Sequence, residues 1–240
     1  MCVVVAGLWV GACGGGSSSP TTPSTSATLA ITPPNTTVLV IGQAQPYSVA
    51  NAKTDAVVTW TSSDPAVLTI DSTGAATAIA MGIVAITATT NDGQTATLQV
   101  QVVPNYQGTW TGNLTNTACT DIAGFASINY CARGLGTAQP LTLNLAQSGV
   151  TISGTMTKSE TGGSVGGTVT GVIGTGGDVT LTGTLSGISN GANLTVTLLS
   201  WNSLATNARM TGIGSANVTS QQILGIATVQ WSFAGVTLAP

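Results

Sequence analysis

The side chains able to do chemistry are few, and their spacing decides what they can do. Gly162-Gly163-Ser164-Val165-Gly166 has the G-x-S-x-G spacing of a nucleophile elbow. A serine nucleophile needs a base to take its proton, and the chain contains no histidine. The elbow also needs a strand-to-helix turn, whereas Ser164 leads into a Thr/Val strand pattern. Neither Lys53 nor Lys158 stands in an S-x-x-K spacing with a serine. Hydrolysis through Ser164 is rejected.

Paired carboxylates are the other hydrolytic device, and they would cut glycosidic bonds. The second half of the chain offers Asp121, Glu160 and Asp178. In an antiparallel meander alternate turns lie at opposite ends. A ten-residue strand, roughly 33 Å, then separates Glu160 from Asp178. Asp121 and Glu160 fall at one end, with Arg133 and Lys158. Opposite charges so placed predict a solvated ion cluster rather than an acid/base pair. Gly174-Thr175-Gly176-Gly177 lacks the helix and lysine that a phosphate cradle needs. Asp64, Asp71 and Asp92 each stand where a turn calls for Asp, so no metal is expected. The N-x-[ST] sequons at Asn35, Asn113, Asn193 and Asn217 follow from the abundance of Thr. The reading is non-catalytic, with no cofactor.

Composition narrows the setting. Charged residues make up 5% of the 240, with 4 basic and 7 acidic side chains, a net charge of −3. Thr, Ser, Asn and Gln must supply most of the polar surface. No basic patch exists for nucleic acid. No run of 18 apolar residues is present to form a spanning helix.

The elements that would carry any site are strands. Between Val57 and Ala88 short apolar runs alternate with turns: Trp60 in an alternating strand, Asp64-Pro65, Ile70-Asp71, Ser72-Thr73-Gly74, then Gly82 and an Ile86-Thr87-Ala88 strand. This is the spacing of an all-β sandwich. The stretch resembles the bacterial immunoglobulin-like group 2 pattern W-x-S-[SN]-x-P-x-V-x-x-[IV]-D-x-x-G. The resemblance implies an immunoglobulin-like sandwich over residues 28–104, of a kind used as stalks and adhesive units. Its expected strands include one continuous run over Pro46–Ala50. Asn91-Asp92-Gly93 predicts a tight hairpin turn.

Residues Cys2 to Ala12 form an apolar run of secretory length, ending in Val10-Gly11-Ala12-Cys13. Small residues before a cysteine resemble a bacterial lipobox, which implies that Cys13 is lipidated; a plain secretory signal is the alternative. Residues 1–13 are thus read as a signal and 14–27 as a flexible Gly/Ser/Thr/Pro tether. Export makes a disulfide the expected state of the remaining pair, Cys119 and Cys131.

Residues 105–240 show eight runs in which apolar residues alternate with Thr or Ser, joined mostly by short turns. That pattern predicts an up-and-down antiparallel barrel, which leaves no open edge. Its outward positions read as Thr and Ser, so a soluble barrel is expected rather than a membrane one. Gly108-Thr109-Trp110 at its start resembles the opening of the lipocalin and avidin group, where the Trp plugs the closed end. The arginine that caps this Trp in many lipocalins is absent from the last strand. Core packing is the reading for Trp110, Trp201 and Trp231.

One loop stands out. Residues 116–137 are longer than the other turns and hold the cysteine pair, Phe125, Tyr130, Asp121 and Arg133. Long loops in compact domains tend to be functional. With Lys158 and Glu160 at the same end, Phe125, Tyr130 and Arg133 form the expected ligand mouth. The alternative is a lid on a solid core, its aromatics buried and its charges solvated. The whole is read as an exported, lipid-anchored surface protein that binds or adheres. Its expected partner is a protein or glycan at the cell surface, and the membrane is met only through the anchor. A barrel carrying a small apolar ligand is the runner-up, with the immunoglobulin-like module as spacer.

Overall fold

The computed structural model describes residues 27–33 and 36–239. Cys13, nearly all of the tether and the Asn35 sequon lie outside the described residues. Among the described residues the protein is all-β apart from two short helices.

The first nine strands are β1 (Ala30–Thr32), β2 (Val38–Val40), β3 (Ala44–Pro46), β4 (Ser48–Ala50), β5 (Val58–Ser62), β6 (Leu68–Ile70), β7 (Ala75–Ala78), β8 (Gly82–Thr90) and β9 (Thr95–Val103). A four-stranded sheet in the order β2-β9-β8-β5 and a three-stranded sheet β3-β7-β6 enclose one core, and β1 pairs with β4. Leu39, Tyr47, Leu68, Val84, Ile86 and Val100 fill it, each at most 3% exposed. Trp60, on the edge strand β5, packs against this core and stays partly exposed.

The run expected over Pro46–Ala50 divides at Tyr47. Its side chain is buried and its N–H donates to the Gly74 carbonyl at 2.8 Å. β3 therefore pairs with β7, and after Tyr47 the chain leaves that sheet to pair with β1. The three aspartates occupy turns as read. Asp71 Oδ1 accepts from the N–H of Thr73 and of Ala75, and Asp64 Oδ1 from the N–H of Ala66. Asp92 is paired with Lys53 at 2.7 Å in the β8–β9 hairpin.

The remaining strands close into a barrel: β10 (Gly108–Asp121), β11 (Ala138–Ser148), β12 (Thr151–Glu160), β13 (Gly163–Ile173), β14 (Val179–Ser189), β15 (Ala192–Thr206), β16 (Arg209–Thr219) and β17 (Ala227–Leu238). Every neighbouring pair is antiparallel, and β17 returns to β10. Alternation explains the closure. In β11, Leu141, Leu143 and Leu145 point inward, while Asn144 and Ala146 in the alternate phase are exposed. Outward neighbours are hydroxyls, as where exposed Thr155 meets Thr168 and Thr184 meets Thr197.

The barrel interior is filled. Trp110, Leu143, Ile152, Val165, Val179 and Val218 are each 0% exposed, so none of them lines a water-sized void. Trp201 stacks on Phe233, with ring centroids 4.5 Å apart. At the end where the chain enters, Trp110 packs in the core, and its Nε1–H donates to the Tyr106 carbonyl at 2.7 Å. The Tyr106 hydroxyl lies 2.9 Å from the Gly177 carbonyl and 3.0 Å from that of Ser203, and accepts from the Ala205 N–H at 3.1 Å. Burial pushes this phenol up to about 12. Val38, Val40 and Val103 of the sandwich join the barrel's apolar cluster at the same end.

Candidate functional site

The opposite end holds every member of the expected mouth. β10 runs on to Asp121, so Cys119 lies on a strand rather than in a loop, with Val229 of β17 as its neighbour. Two short helices follow, α1 (Gly124–Ser127) and α2 (Tyr130–Gly134). The Cys119–Cys131 disulfide ties α2 to β10. Asp121 reinforces it, since its Oδ2 accepts from the Cys131 N–H at 3.0 Å. Helices this short do not hold themselves together in water. The disulfide, Asp121 and one aromatic anchor hold these.

That anchor is Phe125. It is 0% exposed, belongs to the barrel core, and meets Tyr130 edge-on with centroids 5.4 Å apart. The segment thus folds down as a cap, and Phe125 closes the core instead of facing a ligand. Tyr130 is partly buried, and burial, then the neighbouring Glu160 carboxylate, pushes its phenol well above the ordinary value. Its hydroxyl donates to Glu160 Oε2 at 3.4 Å. Arg133 is exposed at the rim.

The charges beneath the cap differ from the expectation. Lys158 and Glu160 form an ion pair at 2.5 Å, with 3% and 4% of their side chains exposed. The solvated cluster is in fact a buried pair. The reason is alternation: Lys158 follows Ile152 and Met156 in the inward phase of β12. Asp121 is engaged by backbone, and Asp178 lies at the far end, where its Oδ2 accepts from Asn202.

Two further residues belong here that the sequence reading did not single out. Asn116 and Gln139 are 4% and 7% exposed, both at inward positions of their strands. With Lys158 and Ser189 they make a polar layer under the cap of a mostly apolar barrel. Ser189 Oγ donates to the Thr161 carbonyl at 2.8 Å. A void of about 10 Å³ sits in this layer, lined by Asn116, Tyr130, Gln139 and Glu160 among others. Beside it lies an outer groove of about 210 Å³ lined by Ile128, Tyr130, Arg133, Leu194 and Ile223.

Lys158 and Glu160 neutralise each other, and Ser164 is exposed on β13. What the arrangement can do is hold a small group by hydrogen bonds.

Comparison with known proteins bears on the other domain. Residues 26–101 match the bacterial Ig-like domain (group 2). The Ig-like domain is thus the sandwich of β1 to β9, and the match marks it as a surface or binding-type module. Within it a stretch of 54 residues is 48% identical to part of lacto-N-biosidase of Bifidobacterium bifidum. That stretch is 22% of this chain, and the chain spans 5% of the length of that relative. The similarity is confined to the Ig-like domain.

Proposed function

We propose that this is an exported bacterial surface protein with a binding or adhesive role and no catalytic one. It is anchored in the cell envelope, at the outer membrane or cell surface, through lipid on Cys13. The Ig-like domain serves as stalk and the barrel as the outer unit. The observation that carries this reading is the match of residues 26–101 to a bacterial Ig-like domain. Two features support it. The barrel core is packed with side chains, which favours a structural or docking unit over a carrier. Histidine is missing, Lys158 and Glu160 of the cap end are paired with each other, and Asp121 is held by a backbone N–H.

The partner is a protein or glycan at the cell surface. A stretch shared with a protein named lacto-N-biosidase makes glycans the first class to test. Fluorescent full-length protein would be applied to a glycan array and to whole cells, alongside a version lacking residues 105–240. Retention that disappears with the barrel supports the barrel as the binding unit. Absence of retention on every surface rejects the adhesive reading. Intact-mass spectrometry of protein made in a bacterial host tests the anchor. A chain beginning at Cys13 with added acyl mass is expected, and one retaining Ala12 rejects lipidation.

The runner-up, carriage of a small apolar ligand, finds support only in the outer groove of Ile128, Leu194 and Ile223, since the barrel interior is occupied.

A further inference from the structure

The polar layer under the cap contains two groups that no described residue satisfies. Asn116 Oδ1 and Gln139 Oε1 are buried acceptors with no hydrogen-bond partner. A buried, unpaired carbonyl loses its hydration without replacement, so native structures rarely keep one without an occupant. The amides are oriented by the cap. Asn116 Nδ2 donates to the Gly134 carbonyl, and a side chain at position 134 would stand 3.1 Å from it and 3.7 Å from Gln139 Nε2. The amide nitrogens thus turn toward α2. Both residues line the void of about 10 Å³, which is the size of one water or one hydroxyl.

The void does not stand alone. Tyr130, Arg133, Ser189 and Asn190 line both it and the outer groove of about 210 Å³. Arg133 lines both spaces and is exposed, so it is the side chain between them that solvent leaves freest to turn. The groove presents Ile128, Ala192, Leu194 and Ile223, an apolar wall. The combined shape is an apolar vestibule ending in two hydrogen-bond acceptors.

The unpaired atoms select the ligand. They accept and do not donate, so a carboxylate or phosphate tip gains nothing from them. A cationic tip would stand beside Arg133 at the rim, and the one carboxylate lining the void, Glu160, already has Lys158 as its counter-ion. A neutral donor is left. We propose that the cap end of the barrel binds a small neutral ligand with an apolar body and a hydroxyl or amide N–H tip, the tip seated between Asn116 and Gln139. This rests on the second reading, carriage of a small ligand, and gives that ligand a site at the cap end of the barrel.

The test uses the full chain and two matched probes, cyclohexylmethanol and cyclohexanecarboxylate, followed by protein NMR. The alcohol is expected to shift the side-chain amides of Asn116 and Gln139 and the methyls of Ile223, saturably. The carboxylate is expected to bind at least tenfold more weakly. Gln139→Leu should weaken the alcohol at least tenfold. Ile223→Trp, which fills the groove and spares the amides, should do the same if Gln139→Leu fails to fold. Equal binding of both probes overturns the proposal, as does absence of saturable shifts. So does a crystal soak in which an ordered water holds the void and the alcohol does not displace it. The outcome is independent of the glycan and cell assays, so the two readings can fail separately.

Discussion

Lys158 and Glu160, two residues apart on one strand, face each other inside a barrel with almost none of either side chain exposed. Burying two charges costs several kcal/mol per ion, and the pair returns this only through close contact. Removing one partner strands the other. Lys158→Met is expected to lower stability by about 3–5 kcal/mol. Lys158→Met with Glu160→Leu should be neutral or stabilising by about 1–4 kcal/mol. Urea unfolding of the three proteins measures both. A double variant as unstable as the single would mean that the pair is needed for packing as well as charge.

The disulfide holds the cap on the barrel. Cys119→Ser with Cys131→Ser should cost at most about 3 kcal/mol, the loop-entropy value for so short a bridge. The unfolding midpoint should fall by the same amount in wild type treated with reductant, and reductant should leave the double variant unchanged. Peptide mapping without reduction should recover the two cysteine peptides linked.

Tyr106 predicts behaviour in alkali. Its phenol titrates near 10.0 when unfolded and is pushed up to about 12 when folded. Between those values the folded state binds more protons, so stability falls as pH rises. The contribution is whole below pH 10.0 and gone above about 12. Tyr106→Phe should flatten that slope. At neutral pH it should also cost about 1–3 kcal/mol, since buried groups at Gly177, Ser203 and Ala205 lose their partner. Urea midpoints between pH 7 and 12 give both numbers.

Asp71 predicts the opposite limb. The Thr73 hydroxyl, then the Ala75 and Thr73 N–H groups, hold its carboxyl below the ordinary 3.8. Asp92 is lowered further, chiefly by Lys53 and then by the Thr90 hydroxyl. A depressed folded value stabilises above the unfolded one and is lost as pH falls through it. Stability of the Ig-like domain should therefore decline below about pH 4. Asp71→Asn should shrink the decline, read by circular dichroism during acid titration.

The strands were legible because Thr alternates with apolar residues along nearly every one, and a period of two leaves little choice. Their ends were less so: β10 continues through Cys119 to Asp121 because β17 is there to pair with it, which is a tertiary fact. The helices α1 and α2 carry no periodic signal in four or five residues and depend on Phe125 being drawn into the core. A signal for the polar layer did exist. Gln139 stands in phase with Leu141 and Leu143, and Lys158 with Met156, so each breaks an apolar alternation on the inward side. Asn116 keeps phase with Trp110 and Leu114 in the same way. That such residues meet each other could not be read, because their register across strands is set by closure of the barrel.

An even number of strands brings a meander back to the end from which it set out. β10 begins, and β17 finishes, beside Tyr106 and the Ig-like domain. The capped end is thus free of both chain connections, at roughly a strand's length of 25–35 Å from the Ig-like domain. Directionality follows from parity alone. Under the proposed anchoring through the Ig-like side, the disulfide, Arg133 and the groove make up the face farthest from the anchor.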